Sequence, residues 1–313
     1  MLRRVLGRPV AGIQTHRPSR CGAATTPNVA SRARGPHAHG GGVIAPYLWR
    51  FGPAKGSCRG LVTAESPRPL KRFYTEATAE DASSGAACRV LLDGKPVKTP
   101  KGSFLALPSR ALAEAVATEW RNQSTHVRPK EMPLTTIGCT VIDLVLPETP
   151  TGPGSNLCVD RMLPYLETDT VCYEDDHEPL ADLQRSEWGP LRQWYENRLG
   201  VQLAIATGLS VPAHPEATLE AVRQDLQNRG PWELCALEIA TTTAKSLVVA
   251  TALLDRDDVA AEQALRWAIL EEYFQIERWG LVEGEHDVAH QEALLWLNAT
   301  QRFVQLCAAT VSS

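Results

Sequence analysis

Leu234-Cys235-Ala236-Leu237-Glu238-Ile239-Ala240-Thr241-Thr242-Thr243-Ala244-Lys245-Ser246-Leu247-Val248-Val249-Ala250-Thr251 decides how the chain is read. Leu234, Leu237, Thr241, Ala244, Val248 and Thr251 recur at helical spacing, and apolar or Thr residues fill the other sides as well. A helix that is hydrophobic nearly all round is buried. The stretch therefore predicts one long helix at the centre of a helical bundle. Its neighbours follow by the same rule. Trp188, Leu191, Trp194 or Tyr195 and Leu199 mark a helix from Ser186 that Gly200 stops. Glu216 to Gln227 gives another, between Pro215 and Gly230. A further helix begins near Asp257 and runs to Trp279, and the last spans His286 to Cys307.

The Asp257–Trp279 helix ends in Leu270-Glu271-Glu272-Tyr273-Phe274-Gln275-Ile276-Glu277-Arg278-Trp279-Gly280. Here an acidic pair sits where the buried stripe should continue, and such a clash between local chemistry and expected burial marks a functional surface. Neither acid has a cation at i+4, since Gln275 and Ile276 occupy those places. An unpaired acidic pair flanked by Phe274 and Trp279 reads as a docking surface, against the plainer reading of a solvated face.

Working towards the N-terminus, the pattern changes from helix to strand. In Cys88-Arg89-Val90-Leu91-Leu92-Asp93-Gly94-Lys95-Pro96-Val97-Lys98-Thr99-Pro100, Asp93-Gly94 supplies the positive φ of a two-residue hairpin between strand formers. Ser103 to Leu107 gives another strand, and Ser109 then caps a helix carrying Leu112, Val116 and Trp120 on one face. A helix is expected from Thr135 to Val145, an aperiodic Pro/Gly-rich loop over residues 147–156, and a β-prone end to the run Met162 to Tyr173. The expected fold is α+β, a small N-terminal β-containing domain followed by a larger all-helical C-terminal domain. The expected divisions are a leader at 1–70, domains at 71–180 and 181–313.

Charge divides the chain sharply. Residues 1–72 hold thirteen Lys or Arg and one acid, Glu65, whereas residues 73–313 hold 19 basic and 35 acidic groups. An Arg-rich, almost acid-free leader with Ser and Gly is the composition of a mitochondrial transit peptide, which places the folded part in the matrix. A domain at −16 is a poor nucleic-acid binder. No stretch is apolar for long enough to cross a bilayer. The eight cysteines include no C-x-x-C pair, which argues against a zinc cluster or disulfide framework and fits a reducing compartment.

Catalytic motifs are scarce. The chain has no G-x-S-x-G, no Walker-type glycine loop, and no G-x-G-x-x-G after a strand. His286 and His290 share a helix face at i, i+4, but Asp287 follows the first His, so the pair is not H-E-x-x-H. Glu174-Asp175-Asp176-His177-Glu178 lacks the glycine and spacing of an EF-hand.

Several blocks together resemble a known family. They are Leu92 to Pro100, Ala117-Thr118-Glu119-Trp120, Met132-Pro133-Leu134-Thr135, Thr168 to Tyr173, Leu183 to Pro190, and Leu270-Glu271-Glu272 with Gln275 to Gly280. In this order they are similar to the mitochondrial ATP synthase F(1) complex assembly factor 2 family, over about residues 71–307. The resemblance implies a non-enzymatic chaperone without cofactor, monomeric when free. Its client would be the unassembled α subunit of the catalytic head, released when the β subunit takes its place. The family's acidic position falls on Glu271-Glu272, its Trp-Gly pair on Trp279-Gly280, and the aromatic of its Glu-Trp block on Trp120. These residues, with Gln275, are the expected client contacts. The loop at 147–156 and the long leader depart from the family without touching a motif. The readings set against it are a matrix metal-dependent enzyme using His286 and His290, and a module binding a small apolar ligand between helices.

Overall fold

The computed structural model describes residues 70–81, 87–146, 153–208, 210–280 and 286–309. The leader with Trp49, and residues 147–152 of the Pro/Gly-rich loop, lie outside the described residues. Near the N-terminus the chain alternates short strands with one helix: β1 (Leu70–Lys71), β2 (Ala77–Asp81), β3 (Cys88–Leu92), β4 (Lys95–Pro96), β5 (Ala106–Leu107), α1 (Arg110–Arg121) and β6 (His126–Val127). Strands β2, β3 and β4 form an antiparallel sheet, β5 pairs with β3, and β1 pairs with β6. Asp93 and Gly94 both adopt positive φ, 46° and 75°, so the hairpin forms where Asp-Gly predicts it. The strand expected over Ser103–Leu107 shortens to β5 and a single bridge between Lys98 and Phe104.

Helix α1 covers the sheet with Leu112, Val116 and Trp120, all buried. The Ser109 hydroxyl accepts from the Leu112 N–H and donates to the Leu306 carbonyl, joining α1 to the last helix. From α1, Glu119 reaches the start of α2 (Pro133–Thr140). Its carboxylate accepts the N–H groups of Leu134 and Thr135, both at 2.8 Å, and the Thr135 hydroxyl at 2.6 Å. These are orphan donors of a helix N-terminus. Burial nevertheless outweighs them and pushes the Glu119 carboxyl up to about 7. Helix α2 then widens into a π-helical turn over Val141–Val145. That turn presents Asp143 to the Thr99 hydroxyl and the Lys101 N–H.

The remainder is helical: α3 (Pro153–Glu167), α4 (Glu178–Leu199), α5 (Glu216–Gln227), α6 (Pro231–Ala244), α7 (Leu247–Asp255), α8 (Ala261–Ala268), α9 (Leu270–Trp279) and α10 (His286–Ala308), with one short parallel pair, β7 (Tyr173–Glu174) and β8 (Ala206–Thr207). The α+β organisation is as expected, and α5 has the bounds read from the sequence. Other elements differ from the expectation. Helix α3 takes in residues 153–167 and so begins inside the stretch 147–156 that was expected as a loop. Its Pro164 is tolerated inside the helix. The β-prone end is a 3-10 turn over Thr170–Cys172 before β7. Helix α4 starts eight residues before Ser186.

The central stretch differs as well. It is buried as predicted and packs α6 against α10, α7 and α3, but it is two helices. Lys245 turns left-handed at φ 52° and Ser246 is extended at φ −150°. The reason lies 77 residues upstream. The carboxylate of Asp169, fully buried, accepts from the N–H groups of Leu247 at 2.8 Å, Val248 at 3.1 Å and Val171 at 3.2 Å. Ser246 also caps Val249. One carboxylate thus holds the start of α7 and the 3-10 turn together, while the Thr170 hydroxyl donates to the Lys245 carbonyl.

Removing that carboxylate leaves three buried donors without an acceptor, each costing about 1–3 kcal/mol if water cannot reach it. Asp169→Ala is expected to lower stability by about 3 kcal/mol or more, and the thermal midpoint by roughly 6–12 °C. A midpoint within about 2 °C of wild type would show that the start of α7 needs no cap. The raised Glu119 carboxyl gives a pH dependence of known sign. A carboxyl raised in the folded state stabilises the fold at low pH, and that contribution is lost as pH rises through about 7. Relative to Glu119→Gln, the wild type should therefore lose stability between about pH 4.5 and 7 in denaturant titrations, by up to about 1.4 kcal/mol per unit. Parallel curves would contradict the burial effect.

Candidate interaction surface

The helix expected from Asp257 to Trp279 breaks at Ile269, whose φ of −119° and ψ of 27° leave the helical region. Helix α4 fixes the joint. The buried Trp188 indole N–H donates to the Trp267 carbonyl at 3.0 Å, satisfying one of the last carbonyls of α8. Glu187 meets Arg266 at 3.3 Å on the surface. Leu270 anchors α9 as its one buried residue. Beyond Leu270, Glu271, Glu272, Phe274 and Ile276 are half-buried, and Tyr273, Gln275, Glu277, Arg278 and Trp279 are exposed.

The acids do not lack partners. They find them on other elements, where spacing along one helix cannot show them. Glu271 accepts a 2.8 Å hydrogen bond from the side-chain N–H of Gln184 on α4. Gln184 is itself fully buried, and its oxygen accepts the Asp175 N–H at 2.8 Å. Burial raises the Glu271 carboxyl above its ordinary range, the nearby Asp175 charge adds to this, and the Gln184 hydrogen bond opposes both. Glu271 lines an open cleft of about 540 Å³ with Glu174, Asp175 and Asp176. Glu174 is held there by Arg192 at 2.9 Å.

Glu272 turns the other way, to His290 on α10 at 3.2 Å, and the Tyr273 ring stacks on that histidine. Near the far end, the Arg278 guanidinium lies 4.3 Å over the Phe274 ring and its N–H meets His177 Nε2 at 3.0 Å. The two acids therefore fasten α9 between α4 and α10, and the outward side belongs to Tyr273, Gln275 and Trp279.

Of the five residues read as client contacts, the structure brings four together on α9. Trp120 is elsewhere. It lies in the core with 1% of its surface exposed, edge-on to Tyr74, whose hydroxyl donates to the Trp120 carbonyl at 2.7 Å. Trp279, by contrast, is 76% exposed. Tyr273, 43% exposed, joins the outward side although the sequence pattern does not single it out. Its neighbours to either side along the face, Glu277 and Ile269, gave no reason to place it outward. His290 is engaged by Glu272 and Tyr273, and the His286 side chain lies outside the described residues. Among the described residues no three His, Cys, Asp or Glu groups converge as metal ligands.

The chain matches the family described as ATP12 chaperone protein over residues 71–196, from the first strands into α4. It is 30% identical over 236 residues to mitochondrial protein atp12 of Schizosaccharomyces pombe, covering 72% of this chain and 79% of the relative. The chain belongs to the ATP12 chaperone family. Mitochondrial protein ATP12 of Saccharomyces cerevisiae is 26% identical over 234 residues, covering 63% of this chain and 72% of the relative. The crystal structure of Atp12 from Paracoccus denitrificans superposes with a TM-score of 0.68 at 29% identity, covering 76% of this chain and 98% of that one. An ATP12 chaperone therefore presents here a short aromatic helix fastened by its acids to the body of the fold.

Gln184 is the pivot of that attachment, so Gln184→Met should free α9 while filling the same space. Amide exchange of Tyr273 to Arg278 is expected to accelerate several-fold, with about 1–2 kcal/mol lost globally. Unchanged exchange in α9 would mean that Leu270 and the Trp188 bond hold the helix without it.

Proposed function

We propose that this ATP12-family protein is an assembly chaperone of the mitochondrial F-type ATP synthase. In this reading it works in the matrix, without catalysis, and holds the unassembled α subunit of the catalytic head until the β subunit takes that surface. An α subunit awaiting its neighbour exposes a large interface that is an aggregation hazard. Its holder has to cover part of this surface, yet leave when the permanent partner arrives. Family membership supports the chaperone role, and the mitochondrial relatives support the compartment.

The observation that carries the reading is Trp279. Among the described tryptophans it is the one that stands exposed, at 76%, while Trp120, Trp188 and Trp267 are buried. Burying an indole is among the largest single gains available to an interface. In this proposal Trp279 and Gln275 touch the client, and Tyr273 widens the contact. Glu271 and Glu272 keep α9 in its seat and give the surface its negative field. With 35 acids against 19 basic groups in residues 73–313, the chain attracts basic client surfaces and does so in a salt-sensitive way. Trp120 serves from below, as part of the core that carries the sheet.

Because its indole is exposed, Trp279→Ala should leave the thermal midpoint within about 2 °C of wild type. Capture of purified, unassembled α subunit should fall by about ten-fold or more, and Trp279→Phe should retain part of it. Undiminished capture by Trp279→Ala would remove the outer face of α9 from the client contact.

A further inference from the structure

A second surface, in the strand-rich part, has the opposite character. Tyr74, Leu92, Val97 and Trp120 are core residues that turn one side each towards an apolar cavity of about 280 Å³. Phe73 stands at its edge, 56% exposed. Three charged residues are among its lining, Asp93, Lys95 and Lys98. Asp93 is committed internally, because its two oxygens accept the N–H groups of Thr75 and Glu76 at 2.8–3.1 Å. The lysines are not. Both are exposed, and among the described residues no carboxylate lies within ion-pair reach of either. The Lys98 ammonium sits 5.5 Å from the ring of Phe104, itself 45% exposed and faced by the Arg89 guanidinium at 5.3 Å.

A cationic, aromatic rim around an apolar hollow is out of character for a chain whose residues 73–313 carry 16 excess negative charges. Two ammonium groups beside that hollow, with no carboxylate in ion-pair reach among the described residues, select an occupant that is apolar at one point and anionic around it. The volume selects further. It falls just below the roughly 300–1,000 Å³ of pockets that enclose a cofactor or drug-sized ligand, and suits a single side chain presented by a longer chain. We propose that this hollow is a second docking site, and that its occupant is a partner-protein segment carrying a Leu or Phe side chain flanked by carboxylates. The apolar side chain enters over Trp120 and Val97, and its flanking carboxylates meet Lys95 and Lys98. This site does not depend on α9. It would give the chaperone two contacts of opposite charge, so that a partner is held by more than one segment and in one orientation.

Fluorescence anisotropy with the full chain tests it, using a fluorescein-labelled peptide in which Leu and Phe are set between Glu residues. A matched peptide with Lys in place of Glu serves as control, and decanoate as a small-molecule competitor. The Glu peptide is expected to bind and the Lys peptide to fail. Lys95→Glu/Lys98→Glu should weaken the Glu peptide by about ten-fold or more without moving the thermal midpoint, and added salt should weaken it too. Trp279→Ala should leave this binding unchanged, which separates the two surfaces. Equal binding of both peptides, or indifference to the charge reversal, would overturn the proposal. So would lysine-dependent binding of decanoate without binding of the peptide, which would make the hollow a site for free acyl anions.

Discussion

A single buried carboxylate, that of Asp169, sets the course of the chain through the middle of the fold. A helix N-terminus inside a protein leaves N–H groups that water cannot reach, and Asp169 collects those of Leu247 and Val248 together with that of Val171. Burial pushes its own carboxyl up to about 6, against the pull of the donors around it. Because the apolar stretch can start a new helix at Leu247, α6 and α7 are separate helices where one would have run through. The same carboxylate fixes the 3-10 turn that leads into β7 and the acidic loop, and so places the neighbourhood in which α9 is later seated.

That seat uses the same device at the surface. Gln184, Glu271 and the Asp175 N–H form a chain of hydrogen bonds, and Trp188 takes a carbonyl at the end of α8. Helix α9 has one fully buried residue, so side-chain polar contacts to α4 and α10 replace the packing that usually holds a helix down. The arrangement has a functional sense for a chaperone. In the proposed role, a short helix fastened by a few polar contacts would present the Trp279 indole to a client at small ordering cost and yield when a stronger partner competes. The acids that attract attention in the sequence work chiefly inward, and the residues they hold in place work outward.

The strand-rich part answers a different need. Its sheet, α1 and the Ser109 link to α10 form a firm base. The hollow above Trp120 has lysines at its rim where α9 has acids. Opposite charges at two sites on one chain favour one orientation of a bound partner over others, which is a gain in specificity more than in affinity.

Much of this was legible in the residues. Asp93-Gly94 can only be a tight turn between those strand formers, Ser109 is the natural cap of the Leu112–Val116–Trp120 face, and Gly200 stops α4 in the left-handed conformation that a glycine tolerates. The ordered family blocks pointed to the chaperone, and the α+β plan followed from periodicity. The sequence alone also singled out α9, because acids interrupted an apolar stripe. Three things needed the third dimension: the break at Lys245–Ser246, the inward commitment of Glu271 and Glu272, and the burial of Trp120 against the exposure of Trp279. The contacts that decide them cross the chain, over 78 residues from Asp169 to Leu247 and 87 from Gln184 to Glu271. Periodicity records which side of a helix is apolar, because that is a property of neighbouring residues. It does not record which distant carboxylate, glutamine or histidine satisfies a polar group, because those contacts exist only once the chain has folded.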